Sequence, residues 1–189
     1  MAYSLKIIIA STRPGRKGPS IAAWVHEVSK KNEFFDIEML DLAAINLPFL
    51  DEPEHPRLQK YTKEHTKQWS EMINGAAAFI IVTCEYNFGY PAALKNALDF
   101  LYNEWNHKPV GFVSYGGVAA GTRSVQQLKQ IVTALNMMPI AASVNIPFFT
   151  KHIDEAGKFT GDETLTKSLN GMLAELEKWT AALQPLRTK

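Results

Sequence analysis

Five short apolar runs alternate along this chain with longer segments whose apolar residues recur at helical spacing. No other feature restricts the possible folds as much. The runs are 5–10, 35–42, 77–83, 110–114 and 139–144. Leu5–Ala10, Ala77–Thr83 and Val110–Ser114 are short and almost wholly apolar, as strands buried on both faces must be. The second run differs, alternating Phe35, Ile37 and Met39 with Asp36 and Glu38. The periodic segments between predict helices over 21–31, 58–73, 92–104, 122–135 and 162–183. Ser20 is placed as the N-cap of the first, and Pro91 stands at the start of the third. The stretch 43–57, with Pro48, Pro53 and Pro56, is expected to be a long loop.

Strand and helix in strict alternation predict an α/β fold: a three-layer sandwich whose parallel sheet is covered on both faces. Five strands in 189 residues fit the flavodoxin-like order 2-1-3-4-5. No composition shift, repeat or low-complexity tract divides the chain, so residues 1–189 are expected to form one domain. A net charge of +1 argues for neither a nucleic-acid nor a membrane surface. No apolar run reaches the ~18 residues of a membrane span, and no secretory leader is evident, which makes the cytoplasm the expected location. The single Cys84 excludes an internal disulfide, and the five His are scattered without ligand spacing, so no metal site is expected.

Two turns carry the chemistry. Ser11-Thr12-Arg13-Pro14-Gly15-Arg16-Lys17-Gly18-Pro19-Ser20 joins the first strand to a helix N-terminus, where free N–H groups and the positive end of the helix dipole attract anions. Arg13, Arg16 and Lys17 add cationic donors; Ser11, Thr12 and Ser20 add hydroxyls. The dinucleotide pattern G-x-G-x-x-G is missing, and Gly18 is followed by Pro19-Ser20 rather than Lys-Ser/Thr. The loop therefore favours a terminal phosphate over a pyrophosphate. After the third strand, Thr83-Cys84-Glu85-Tyr86-Asn87-Phe88-Gly89-Tyr90-Pro91 packs three rings into one turn, more than chain reversal needs. Gly116-Gly117 after the fourth strand would let backbone approach a ring edge. In the order 2-1-3-4-5 these three turns share one crevice, and a ribityl phosphate carrying a flat heteroaromatic ring, as in FMN, fits it.

Cys84 through Asp99 (Cys84-Glu85-Tyr86-Asn87-Phe88-Gly89-Tyr90-Pro91, then Leu94-Lys95-Asn96-Ala97-Leu98-Asp99) and Ala10-Ser11-Thr12-Arg13 with Ser20 resemble the two motifs of the NADPH-dependent FMN reductase family, flavodoxin-like quinone, azo-dye and chromate reductases. The resemblance covers roughly residues 5 to 145. It implies that Ser11, Arg13 and Ser20, with Arg16, hold the FMN phosphate. It implies that Glu85, Tyr86, Asn87 and Phe88 border the isoalloxazine largely through backbone groups. Ser114, Tyr115, Gly116 and Gly117 would line its other side. Cys84 stands where the family motif has Pro, and Ala10 where it has Gly.

With a flavin the cofactor carries the chemistry, and no side chain is assigned as a catalytic acid, base or nucleophile. The expected activity is ping-pong hydride transfer from NADPH or NADH through FMN to a quinone, free flavin or similar small-molecule acceptor. A different class, a non-catalytic flavodoxin-like electron carrier or redox-sensing FMN protein, stands as the alternative. A carrier that docks cationic partners would be strongly acidic, which this chain is not. A thiol phosphatase loop C-x5-R would need Arg where Tyr90 stands, and a receiver domain would need Asp where Cys84 and Glu85 stand. Phe100, Leu101, Tyr102 and Trp105, with the apolar loop 46–50, predict a homodimer or a tetramer.

Overall fold

The computed structural model describes residues 2–187. Five parallel strands, β1 (Tyr3–Ile9), β2 (Phe35–Asp41), β3 (Ala78–Thr83), β4 (Pro109–Tyr115) and β5 (Met138–Ile146), lie in the order β2-β1-β3-β4-β5. This is the predicted flavodoxin-like sheet. Every residue of β3 and β4 is buried. The period of two sends alternate side chains to opposite faces. Leu5, Ile7 and Ile9, with Ile80, Val82 and Val113, face one core; Ile8, Phe79, Ile81 and Phe112 face the other. The near-continuous apolar runs of the sequence are thus two interleaved core faces. Each such side chain removed from water contributes about 1.5–3 kcal/mol.

Helices α1 (Gly18–Ser29) and α6 (Glu163–Arg187) cover the first face through Ile21, Val25, Leu169, Met172 and Leu176. The short α2 (Leu42–Ile45) follows β2 directly. Helices α3 (Glu64–Asn74), α4 (Ala92–Asp99) and α5 (Thr122–Ala134) cover the second face through Trp69, Ile73, Leu94, Leu98, Leu128 and Val132. The anion-loop, aromatic and glycine turns all emerge at the carboxyl edge of β1, β3 and β4.

Four expectations are corrected. Helix α1 starts at Gly18 with Lys17 at the cap and no side-chain cap bond. Pro19 fits the first turn of a helix, and the Ser20 hydroxyl is used elsewhere. The stretch 43–57 is not all loop: α2 occupies its start and a 3-10 turn, Pro56–Leu58, its end. The helix expected from residue 58 begins at Glu64, because Gln59 takes left-handed backbone at φ 51° and breaks the run. Glu52 reaches in to accept the Thr62 and Lys63 N–H groups at 2.8 and 2.9 Å. Burial works to raise its carboxyl, but those bonds outweigh it and hold the group down at about 2. Finally, the helix expected over 92–104 stops at Asp99. Phe100, Leu101 and Trp105 then turn inward and are at most 1% exposed. They belong to this chain's own core and give no support to a dimer surface.

Candidate functional site

A pocket of about 250 Å³ opens at the carboxyl edge of the sheet. Of the sequence-predicted residues it brings together Arg13, Arg16, Glu85, Tyr86, Tyr115, Gly116 and Gly117. Lys17, Gly15, Cys84 and Phe149 complete its lining. A larger cleft of about 650 Å³ lies at the opposite edge of the sheet. There Lys108 donates to the Ile73 and Asn74 carbonyls at 2.7 and 3.0 Å, closing the end of α3. That cleft holds none of the motif residues.

The anion loop is preformed. Among the described residues of 12–17, only the Arg16 N–H makes a backbone hydrogen bond, to the Arg13 carbonyl at 3.1 Å. The other N–H groups remain for a ligand. Ser11 is buried, and its Oγ accepts from the Tyr115 hydroxyl at 3.2 Å. A Cβ on Gly18 would overlap that Oγ and lie 3.0 Å from the Tyr115 hydroxyl oxygen. The glycine therefore lets α1 begin directly against the base of the loop.

Its cations are not equivalent. Arg16 donates to both Asp41 carboxylate oxygens at 2.6 Å and to the Ser11 carbonyl at 2.7 Å. Its charge is matched before any ligand arrives, and it braces the loop against β2. Arg13 and Lys17 are exposed and have no acidic partner among the described residues. Ser20, expected on a phosphate, instead donates to the Gly157 carbonyl at 2.9 Å and accepts from the Phe159 N–H at 2.7 Å. Ser114 is fully buried and donates to Asn145 on β5 at 3.1 Å, away from the pocket.

The Arg16 fork holds the Asp41 carboxyl below its ordinary value of 3.8. A carboxyl depressed by folding adds stability above its unfolded pKa, and that stability is lost as pH falls through the folded pKa. Asp41→Asn should therefore melt below the wild type at neutral pH. The gap should close on acidification below 3.8. Thermal melts of both proteins across that range test this; a gap that persists in acid counts against the brace.

The aromatic turn is a two-residue hairpin. Tyr86 and Gly89 exchange both backbone hydrogen bonds at 2.9 Å, with Asn87 at φ 50° and Phe88 at φ 70°. Asn tolerates that left-handed backbone, but a ring as large as Phe88 rarely adopts it. Helix α5 holds it there. The Arg123 guanidinium lies 3.8 Å from the centroid of the Phe88 ring, and Gln127 donates to the Phe88 carbonyl at 3.2 Å. Arg123 also pairs with Glu85. Asn87 and Phe88 are exposed at the rim and do not line the pocket. Tyr90 packs against the second core.

Cys84 is buried, at 7% exposure, and lines the same pocket as Tyr86 and Tyr115. Burial, reinforced by that thiol, pushes both phenols up, so they remain protonated hydrogen-bond donors in the neutral range. A Cβ on Gly117 would meet nothing within 4 Å, and its N–H makes no backbone hydrogen bond, which leaves that N–H open to the pocket. Sequence reasoning missed Phe149, since nothing local marks a residue after β5 as bordering a loop after β1.

The residues fit FMN. The loop offers free amides and two uncompensated cations for a phosphate, and Tyr86, Tyr115 and an open glycine backbone provide apolar faces and donors for a flat ring. A 2-1-3-4-5 sheet with an anion loop and an aromatic turn at its switch point defines a flavodoxin-like protein built to hold a mononucleotide. The chain belongs to the NADPH-dependent FMN reductase family, whose model matches residues 4–151, and is an oxidoreductase. It is 42% identical over 173 residues to an NAD(P)H-dependent FMN reductase of Schizosaccharomyces pombe, covering 82% of this chain and 86% of that one. It is 34% identical over 124 residues to an NADPH:quinone oxidoreductase of Arabidopsis thaliana, covering 60% and 61%. The fold is similar to that of the flavoenzyme NAD(P)H:acceptor oxidoreductase of Paracoccus denitrificans, with TM-score 0.77 at 20% identity over 96% and 98% of the chains.

Proposed function

We propose that this protein is a single-domain, cytoplasmic, homodimeric FMN enzyme that oxidises NAD(P)H and reduces a quinone, free flavin or similar small acceptor in two successive half-reactions. The observation that carries the reading is one pocket holding both Arg13 and Lys17, which have no carboxylate partner among the described residues, and Gly117, whose N–H makes no backbone hydrogen bond and whose α-carbon faces open space. Bound FMN would supply the two-electron chemistry.

The chain's own residues bind and orient. Arg13, Lys17 and the loop amides hold the terminal phosphate, while Arg16, fixed by Asp41, shapes the loop. Ser11 acts from below by anchoring the Tyr115 hydroxyl. Tyr86, Tyr115 and the backbone of Glu85 and Gly116 border the ring. Tyr86 and Tyr115 stay protonated, so neither is a free base in the neutral range, and Glu85 is paired with Arg123. Among the described residues no helix is long and apolar enough to cross a membrane. Phe49 is 86% exposed and Val118 81%, with Phe88 at 63%. Exposed apolar side chains of this kind are where a second subunit would sit.

Purified protein should be yellow and should release FMN on boiling. It should oxidise NADPH in the presence of a quinone, with parallel double-reciprocal plots, and sediment as a dimer. Turnover no faster than that of free FMN would sink the enzymatic reading. A monomer that retains FMN and full activity would remove the homodimer alone.

A further inference from the structure

After Ile146 the chain turns back over the glycine turn of β4. Phe148 takes left-handed backbone at φ 45°, a conformation that bulky residues rarely adopt. With that twist, two successive amides meet two successive glycine carbonyls. The Phe148 N–H donates to Gly117 at 3.2 Å and the Phe149 N–H to Gly116 at 3.3 Å. The two rings have different fates. Phe148 is 47% exposed, with the Lys151 ammonium 5.1 Å from its ring centroid. Phe149 is partly buried, edge-on to Tyr115 at 5.2 Å and 69°. It borders the same pocket as Arg13 and Gly117.

The far end of this segment is fastened as well. The Ser20 hydroxyl ties Gly157 and Phe159, and the Phe159 ring packs on Trp24 at 5.3 Å. Phe149 is therefore held in place before any ligand arrives, which lowers the ordering cost of binding. The strained backbone gains little from the half-exposed ring of Phe148; what it achieves is the placement of Phe149.

We propose that Phe149 is a cofactor-contacting residue, whose ring bounds the flavin ring system on the side of the glycine turn and fixes where that ring system lies. The proposal rests on the FMN reading above. An aromatic edge or face against a flat heteroaromatic adds affinity beyond the area it covers.

The test compares FMN with riboflavin, which has the same ring and no phosphate, in fluorescence titrations of apoprotein. Phe149→Ala should weaken both flavins by the same factor, about tenfold. Phe149→Leu, which keeps an apolar side chain, should weaken both by about threefold. A residue that merely packs on Tyr115 would lower the melting temperature and leave both affinities within about twofold of wild type, and that result overturns the proposal. So does a loss confined to FMN, which would place the effect on the phosphate loop. If Phe149→Ala does not fold, the Leu variant decides, because a packing role predicts no change in its affinities. Wild-type protein that binds neither flavin would refute the FMN reading and this proposal with it. Wild-type binding with unaltered variants refutes the proposal alone.

Discussion

Arg13→Ala is expected to raise the FMN dissociation constant about 30-fold while leaving riboflavin binding unchanged. Charge-assisted hydrogen bonds to phosphate are about twice as strong as neutral ones, and a guanidinium makes two in parallel. Arg13 can offer both, because it is exposed at the pocket and has no carboxylate partner among the described residues. Lys17, a point charge on a flexible stem, should matter less, with a loss of about threefold to fivefold in Lys17→Ala. Arg16 differs in kind. Two of its donors are spent on Asp41 and one on the Ser11 carbonyl, so its removal disorders the loop instead of deleting a phosphate ligand. Titrations with FMN and riboflavin check the ranking. Equal losses for the two flavins in Arg13→Ala would mean that Arg13 acts on the ring, and a larger effect in Lys17→Ala would reverse the assignment.

What could be read in advance, and what could not, follows from the range of the interactions. The two-faced core was legible because strand periodicity is local: Leu5, Ile7 and Ile9 point one way and Ile8 the other whatever the rest of the chain does. The site motifs were legible because each loop follows its strand directly. The charge state of the anion loop was not. Arg16 finds Asp41 because β1 and β2 pair with Ile9 opposite Asp41, a register that no segment of sequence displays. Ser20 is a similar case. As an isolated Ser ahead of an apolar period it looks like a cap or a phosphate donor, yet its partners are 137 and 139 residues away. Phe149 reaches the pocket only through the fold of the segment after β5.

Trp105→Ala should cost about 3–5 kcal/mol of folding stability, the largest effect expected outside the site. In the sequence, Trp105 and its neighbours Phe100 and Leu101 read as apolar surplus on a helix and therefore as an interface. In the fold the helix ends at Asp99, and a 3-10 turn at Asn103–Trp105 swings the indole under the sheet. There it is fully buried, 5.1 Å from Phe79 and 6.1 Å from Trp69, and its Nε1 donates to the Leu98 carbonyl at 3.2 Å. Truncation leaves a cavity and an unpaired buried carbonyl, two costs that add. Trp105→Phe refills most of the space and should lose less. Denaturant melts at several protein concentrations separate the two roles. A core residue destabilises equally at every concentration, whereas an interface residue acts through association and its effect depends on concentration. Concentration-dependent loss in Trp105→Ala would return these rings to the subunit boundary. A constant loss leaves that boundary to apolar side chains that stand exposed on this chain, such as Phe49, Phe88 and Val118.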